Sequence, residues 1–198
     1  MKTTLLAFVF CLFSISCFAQ DELRDNATGI AFPQSVSFEH DGKKYDLQAT
    51  GVATRKKLII NVYSVAHYLE DKAKSMPDKI AEIMSDQNAK QLTMKWARSV
   101  DSRRVQDGYH ESFQKALSQD ELSQLQNEIN QYIEFFSHDV QKGDEHVLRW
   151  IPEGYIEVLI NGNRVGNINN KAFARALWSI WFGQNSVVNR NNLISLMH

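Results

Sequence analysis

Two short turns near opposite ends of the chain constrain the fold more than any other feature. Asp41-Gly42 lies within SVSFEHDGKKYDL (residues 35–47), and Asn161-Gly162 lies within YIEVLINGNRVGNI (residues 155–168). Apolar and polar residues alternate around both turns, and two-residue hairpin turns prefer Asp-Gly and Asn-Gly. The sequence therefore predicts an antiparallel hairpin in each segment.

Between these hairpins, strand-like and helix-like segments come in groups. The alternation of apolar residues predicts further strands over residues 50–69, 91–99 and 145–151. Helical spacing predicts helices over residues 77–86 (beginning at Pro77), 102–116, 122–136 and 170–182, and a short one after Asn189. Because strands and helices do not alternate strictly, the order favours an α+β domain, an antiparallel sheet with helices against one face. No Pro- or Gly-rich linker divides residues 20–198, so we expect one domain there.

Residues 1–19 have the composition of a secretory signal peptide. One Lys precedes an apolar run of about a dozen residues, followed by small and polar residues. The run is too short to span a bilayer as a stable anchor. Cleavage after Ala19 predicts a periplasmic or secreted protein without cysteine, because Cys11 and Cys17 both lie in this segment. Acylation of Cys17, as in a lipoprotein, is the alternative.

Composition and motifs exclude several classes of function. The formal net charge is −1 and the charged content is 23%, so nothing indicates broad nucleic-acid binding. The chain has no HExxH, GxSxG or phosphate-loop motif and no His pair at metal-ligand spacing. We therefore expect no metal and no cofactor. His67, within an apolar strand, is more typical of a structural histidine than of a ligand or base.

The strand GVATRKKLIINVYSVAHYLE (residues 51–70) has three cations in front of an apolar run. If the strand is unbroken, Arg55, Ile59, Tyr63 and His67 share one face. An inward Arg55 beside the Tyr63 hydroxyl would suit a carboxylate. Alternatively, Arg55 and the two following lysines are solvated charges at the end of a strand, and the pattern alone favours this interpretation.

The segment KAFARALWSIWF (residues 171–182) predicts a helix with a very narrow polar stripe. Lys171, Arg175 and Ser179 recur every four residues, and the remaining positions are apolar. Such a helix is buried on most sides. It lies either within the core, which is the usual case, or along an apolar ligand cavity.

Three blocks together resemble the chalcone isomerase-like family, especially its bacterial secreted members. They are the strand at 51–70, VQKGDEHVLRWIPEGYIEVLINGNRVGNI (residues 140–168) and KAFARALWSIWFGQNSVV (residues 171–188), and the resemblance extends over most of 29–196. It implies an open-faced β-sandwich, a long antiparallel sheet with helices over one face and a ligand cleft between. Plant members of the family close a chalcone into a flavanone, and related non-catalytic members bind fatty acids through an Arg and a Tyr.

The resemblance transfers to this chain only in part. Arg55 matches the family Arg, whereas Tyr63 falls on a strand Thr of the enzymes and Ile180 on a hydroxyl residue of the late helix. Tyr109 lies near the remaining family Tyr but has no secure match. Because catalysis needs donors for an enolate-like transition state, we do not expect chalcone isomerase activity.

The resemblance therefore implies non-catalytic binding of a small apolar carboxylate, such as a fatty acid. The predicted ligand-binding residues are Arg55, Tyr63, Tyr109, Trp178, Ile180 and Trp181, with Phe182 beside them. An isomerase or lyase acting on an unknown substrate, with Tyr63 as acid and His67 as base, is one alternative. A ligand-free envelope protein that interacts with other proteins is the other.

Overall fold

The computed structural model describes residues 22–70 and 78–197. A two-stranded ribbon is followed by a seven-stranded sheet in which every neighbouring pair is antiparallel and the strands lie in chain order. The ribbon consists of β1 (Glu22–Arg24) and β2 (Ala31–Pro33). The sheet consists of β3 (Ser35–His40), β4 (Lys43–Lys57), β5 (Ile60–Glu70), β6 (Lys90–Trp96), β7 (Glu145–Ile151), β8 (Tyr155–Ile160) and β9 (Asn163–Asn169).

Six helices occur in the described residues. They are α1 (Lys79–Ile83), α2 (Ser102–Ala116), α3 (Gln119–Gln124), α4 (Gln126–Glu134), α5 (Lys171–Phe182) and α6 (Arg190–Leu193). Together with the sheet they confirm the predicted α+β class and both Asx-Gly hairpins. The predicted signal segment 1–19 and Pro77 lie outside the described residues, so their roles stay predictions.

Helix α2 spans the predicted range 102–116, and Asp101 caps it because its side chain accepts a hydrogen bond from the Arg104 N–H. Another helix differs from the prediction. The helix predicted over 122–136 is divided at Leu125 into α3 and α4. A capping box between Ser118 and Glu121 starts α3 early, and α3 buries none of its residues. The division lets α4 turn its apolar side to the core while α3 stays at the surface.

The two faces of the sheet are covered by different elements. Helices α2, α4, α5 and α6 pack on one face and enclose the main core, in which Trp178 of α5 lies edge-on to Trp150 of β7 at 5.4 Å. A smaller apolar cluster containing Phe32, Leu47 and Tyr68 fills the other face, beneath the β1–β2 ribbon. This arrangement is the predicted sheet with helices over one face.

A β-bulge at Thr50 decides which face of β4 carries the charges at its end. Ala49 pairs with Tyr68 and Gly51 pairs with His67, so Thr50 is an extra residue in β4. An extra residue inverts the alternation of side chains. Residues before the bulge, such as Leu47, belong to the ribbon-side cluster, whereas Ala53 belongs to the helix-side core. Arg55 consequently lies on the helix-covered side.

Residues 51–70 form parts of two strands rather than one unbroken strand, so the condition for the shared face does not hold. A turn at Leu58 and Ile59 ends β4 and starts β5, which pairs with it antiparallel. Ile59 therefore points into solvent rather than along the face of Arg55. Arg55 and Tyr63 are nevertheless neighbours, because they are direct cross-strand partners. Residues directly opposite each other in an antiparallel pair lie on the same face.

Candidate functional site

A cleft of about 640 Å³ opens between the β4–β5 hairpin, the end of β6, helix α2 and the C-terminal end of α5. Side chains that are far apart in the sequence therefore meet in the cleft. Its apolar lining includes Ile60, Val62, Trp96, Val100, Val105, Val140, Ile180 and Trp181. Its charged lining includes Arg55, Lys57, Arg98, Asp101, Arg104, Asp107, Glu111 and Asp139.

Arg55 is half-buried in the cleft wall and makes no hydrogen bond or ion pair within residues 22–70 and 78–197. Two neighbouring cations, in contrast, have partners. Lys57 lies 3.7 Å from a carboxylate oxygen of Glu111, and Arg104 lies 3.2 Å from that of Asp101. The Arg55 guanidinium thus keeps its five N–H donors for a group that enters the cleft.

Tyr63 supplies a hydroxyl next to Arg55. Its phenol is buried, and its oxygen accepts a hydrogen bond of 3.1 Å from the Trp181 indole N–H. Burial raises the pKa of Tyr63, although the Arg55 guanidinium and the bond from Trp181 oppose the rise. The phenol is therefore neutral near pH 7. Because Trp181 already donates to the oxygen, the Tyr63 proton is free to be donated to a ligand.

Tyr109 brings a second phenol to the cleft from helix α2. Its hydroxyl lies 4.0 Å from the Met94 sulfur, a weak acceptor, and also interacts with the Tyr132 side chain, while its ring stacks on Phe136 at 4.7 Å. Burial raises the pKa of Tyr109, the Tyr63 phenol adds to the rise, and the Arg55 guanidinium opposes it. Arg55 therefore acts electrostatically on both phenols. One guanidinium and two O–H donors converge on the same cleft.

Five of the six predicted site residues line this cleft: Arg55, Tyr63, Tyr109, Ile180 and Trp181. Trp178 does not, because it lies about one helical turn before Trp181, away from the open end of α5. Its ring packs on Trp150 instead. Phe182 is likewise turned away from the cleft, against His67 at 4.7 Å. The apolar helix α5 is therefore mostly core and contributes to the cleft only at its last turn.

Sequence reasoning missed Trp96 and, apart from Tyr109, the residues that α2 contributes to the cleft. Trp96 pairs with Tyr63 across β5 and β6, and their rings meet edge-on at 5.4 Å. The alternation of side chains in β6 could have predicted that Trp96 is buried. It could not have predicted contact with Tyr63, because that contact depends on the register between β5 and β6. Val105 of α2 belongs to the main core and also lines the cleft.

His67 does not line the cleft. It is fully buried, its Nδ1 lies 2.7 Å from the Thr50 hydroxyl, and burial, aided by the charge of Lys90, holds its pKa well below the usual value. A base for the predicted alternative enzyme would therefore have to come from elsewhere. Among the described residues, no group of three or more His, Cys, Asp or Glu side chains is placed to hold a metal ion.

A family model described as chalcone isomerase-like matches residues 24–191. The chain belongs to the chalcone isomerase-like family. Among solved structures, the chain is similar to an Arabidopsis thaliana fatty-acid binding protein, with a TM-score of 0.71 and 15% identity. The match covers 89% of this chain and 96% of that protein. No curated protein matches the chain by sequence. The structural similarity confirms the predicted chalcone isomerase-like fold.

Proposed function

We propose that the protein binds a fatty acid or a similar small apolar carboxylate in the cleft, without converting it chemically. The observation that carries the proposal is Arg55, a cation without a partner in the described chain that lies beside two phenols and next to the apolar part of the cleft wall. A guanidinium matches a carboxylate with two parallel hydrogen bonds. The Tyr63 and Tyr109 hydroxyls supply further donors to the same group.

The walls of the cleft suit the other end of such a ligand. Side chains of Val62, Val105, Val140 and Ile180 present hydrocarbon to the cavity, and Trp96 adds an aromatic surface. Sites of about 300–1,000 Å³ with apolar walls and a few convergent polar groups are typical for small-molecule ligands. An apolar chain in this cavity gains free energy from burial, while Arg55 keeps the carboxylate ionised.

Two features favour binding over catalysis. Tyr63 and Ile180 stand where the resemblance places hydroxyl residues of the plant enzymes, and Ile180 has no polar atom to stabilise a developing negative charge. The fatty-acid binding activity of the Arabidopsis structural neighbour supports the same proposal. A ligand-free role would fit a closed core and a solvated Arg55, whereas the cleft is open and Arg55 half-buried.

The proposal is tested by titrating a long-chain fatty acid and its methyl ester into the protein and into Arg55→Ala. Loss of a charge-assisted hydrogen bond corresponds to about a 10- to 150-fold weaker affinity for the acid. The uncharged ester should bind both proteins equally. Lys57→Ala is the matched control, since it removes the same charge from a cleft residue already paired with Glu111. Unchanged affinity of Arg55→Ala for the acid would contradict the proposal.

A further inference from the structure

The turn between β4 and β5 exposes large apolar side chains. Leu58 is 93% exposed, Ile59 is 94% exposed and Ile60 is 46% exposed. Within the described residues, the other exposed large apolar side chains are single ones, Val165 and Leu196, at 40% or less. We call Leu58, Ile59 and Ile60, together with the flanking Lys56 and Lys57, the hairpin tip.

The sequence of this turn is not explained by turn geometry. The Asp41-Gly42 and Asn161-Gly162 turns place Asx and Gly at positive φ, as such turns prefer. Leu58 also has a positive φ, of 57°, which is unfavourable for a bulky side chain. A residue that fits the turn poorly and also faces water points to a contact outside the chain.

The charged side chains that β4 and β5 carry next to the hairpin tip are all positive. Between Asp46 and Glu70 the chain has no acidic residue, while Arg55, Lys56 and Lys57 directly precede the apolar tip. Lys56 is exposed, and the ion pair of Lys57 with Glu111 is a solvent-exposed one of little strength. Exposed apolar side chains next to basic residues suit an anionic membrane, because the apolar groups can enter the headgroup region while the cations attract the lipid phosphates.

We propose that the hairpin tip docks onto an anionic phospholipid surface. Leu58 and Ile60 would enter the headgroup region from the rim of the cleft, which both residues line, and the lysines would contact phosphates. Asp107 and Glu111 lie on the α2 rim of the same cleft, so only the hairpin side is assigned to lipid contact. Among the described residues no helix is long and apolar enough to cross a bilayer.

Docking would place the mouth of the cleft at the membrane surface. A fatty acid leaving the bilayer could then pass along Leu58 and Ile60 toward Arg55 without crossing water. This exchange rests on the proposed function, whereas docking of the tip does not. Vesicle binding and fatty-acid affinity in solution are separate measurements, so either proposal can fail without the other.

The test is sedimentation with vesicles of phosphatidylcholine alone or mixed with phosphatidylglycerol. The protein is purified from cells expressing the full chain, and its intact mass records whether residues 1–19 are present. We expect binding to the anionic vesicles. Leu58→Gly/Ile59→Ser should weaken it at least about tenfold, because two apolar side chains are lost. Lys56→Gln/Lys57→Gln should weaken it by about fivefold per lysine and remove the preference for anionic lipid.

Two controls separate docking from unfolding and from general stickiness. Gly is favoured at the positive φ of position 58, so the tip variant should keep the thermal midpoint of the parent. Val165→Ser removes an exposed apolar side chain of β9 and should leave vesicle binding unchanged. If Leu58→Gly/Ile59→Ser bound anionic vesicles as tightly as the parent, the proposal would be overturned. It would also be overturned if the parent bound neither kind of vesicle and formed a dimer that Leu58→Gly/Ile59→Ser abolishes. The hairpin tip would then contact a second copy of the chain.

Discussion

His146 on β7 makes the stability of the fold sensitive to acid. The side chain is 1% exposed, between the rings of Phe136 and Trp96, each with its centroid at 5.3 Å. Neither ring nitrogen has a hydrogen-bond partner among the described residues. Burial lowers the pKa of His146 from 6.5 to about 4, although the charge of Asp144 opposes the shift. The imidazole is therefore neutral in the folded protein through most of the acidic range.

The sign of the effect follows from proton binding in the two states. Above pH 6.5 both states are neutral at this position, and His146 contributes no pH dependence. Between pH 6.5 and about 4 the unfolded chain binds a proton that the folded protein does not, so acid favours unfolding. The shift corresponds to a total loss of about 3 kcal/mol below pH 4, most of which has occurred by pH 4.5.

The assay is urea unfolding at pH 7.5 and pH 4.5, which gives the free energy of unfolding at each pH. In His146→Leu the loss of stability between these values should be smaller by about 2–3 kcal/mol than in the parent. A smaller loss remains, because buried His67 has its pKa lowered in the same direction. His138→Leu, a change of an exposed histidine, should show the parental loss. Equal losses in His146→Leu and the parent would show that His146 does not cause the acid sensitivity.

Two further substitutions test the packing that positions the cleft. The Asp25 carboxylate accepts hydrogen bonds from the Ser64 hydroxyl at 2.5 Å and from the hydroxyls of Thr54 and Thr28. Asp25→Ala should therefore lower the free energy of unfolding in urea by about 2–3 kcal/mol. Gly51→Ala would place a Cβ 2.0 Å from the backbone oxygen of Asn192 and should destabilise by about 1–3 kcal/mol, with faster hydrogen exchange in α6. Gly108→Ala, where nothing lies within 4 Å, should instead stabilise by about 0.5–1 kcal/mol, and a similar loss there would contradict the packing argument.

The predictable parts of the fold are those with strong local signals. The Asp41-Gly42 and Asn161-Gly162 turns fix two hairpins because the backbone of a tight turn demands such residues. The narrow polar stripe of α5 likewise indicated burial, since helical period alone assigns the faces. The turn at Leu58 and Ile59 could not be recognised, because KKLII has strand propensity and no turn residue.

The site was predictable only where resemblance supplied the register. Arg55 shares a face with Tyr63 because the two residues pair across a hairpin, and a bulge at Thr50 sets which face that is, whereas the sequence pattern indicated the shared face only for an unbroken strand. Gly51 after Thr50 is the local signal for that bulge, as an isolated Gly in a strand often is. Tyr109 reaches the cleft because α2 packs against α5, a long-range arrangement that spacing within α2 does not encode.

Mass spectrometry of the small molecules released when the purified protein is denatured tests fatty-acid binding most directly. The parent should release a fatty acid or similar apolar carboxylate in near-stoichiometric amount, and Arg55→Ala should release much less. A protein that releases no such molecule, and that also fails to take up added fatty acid, would contradict the proposed binding.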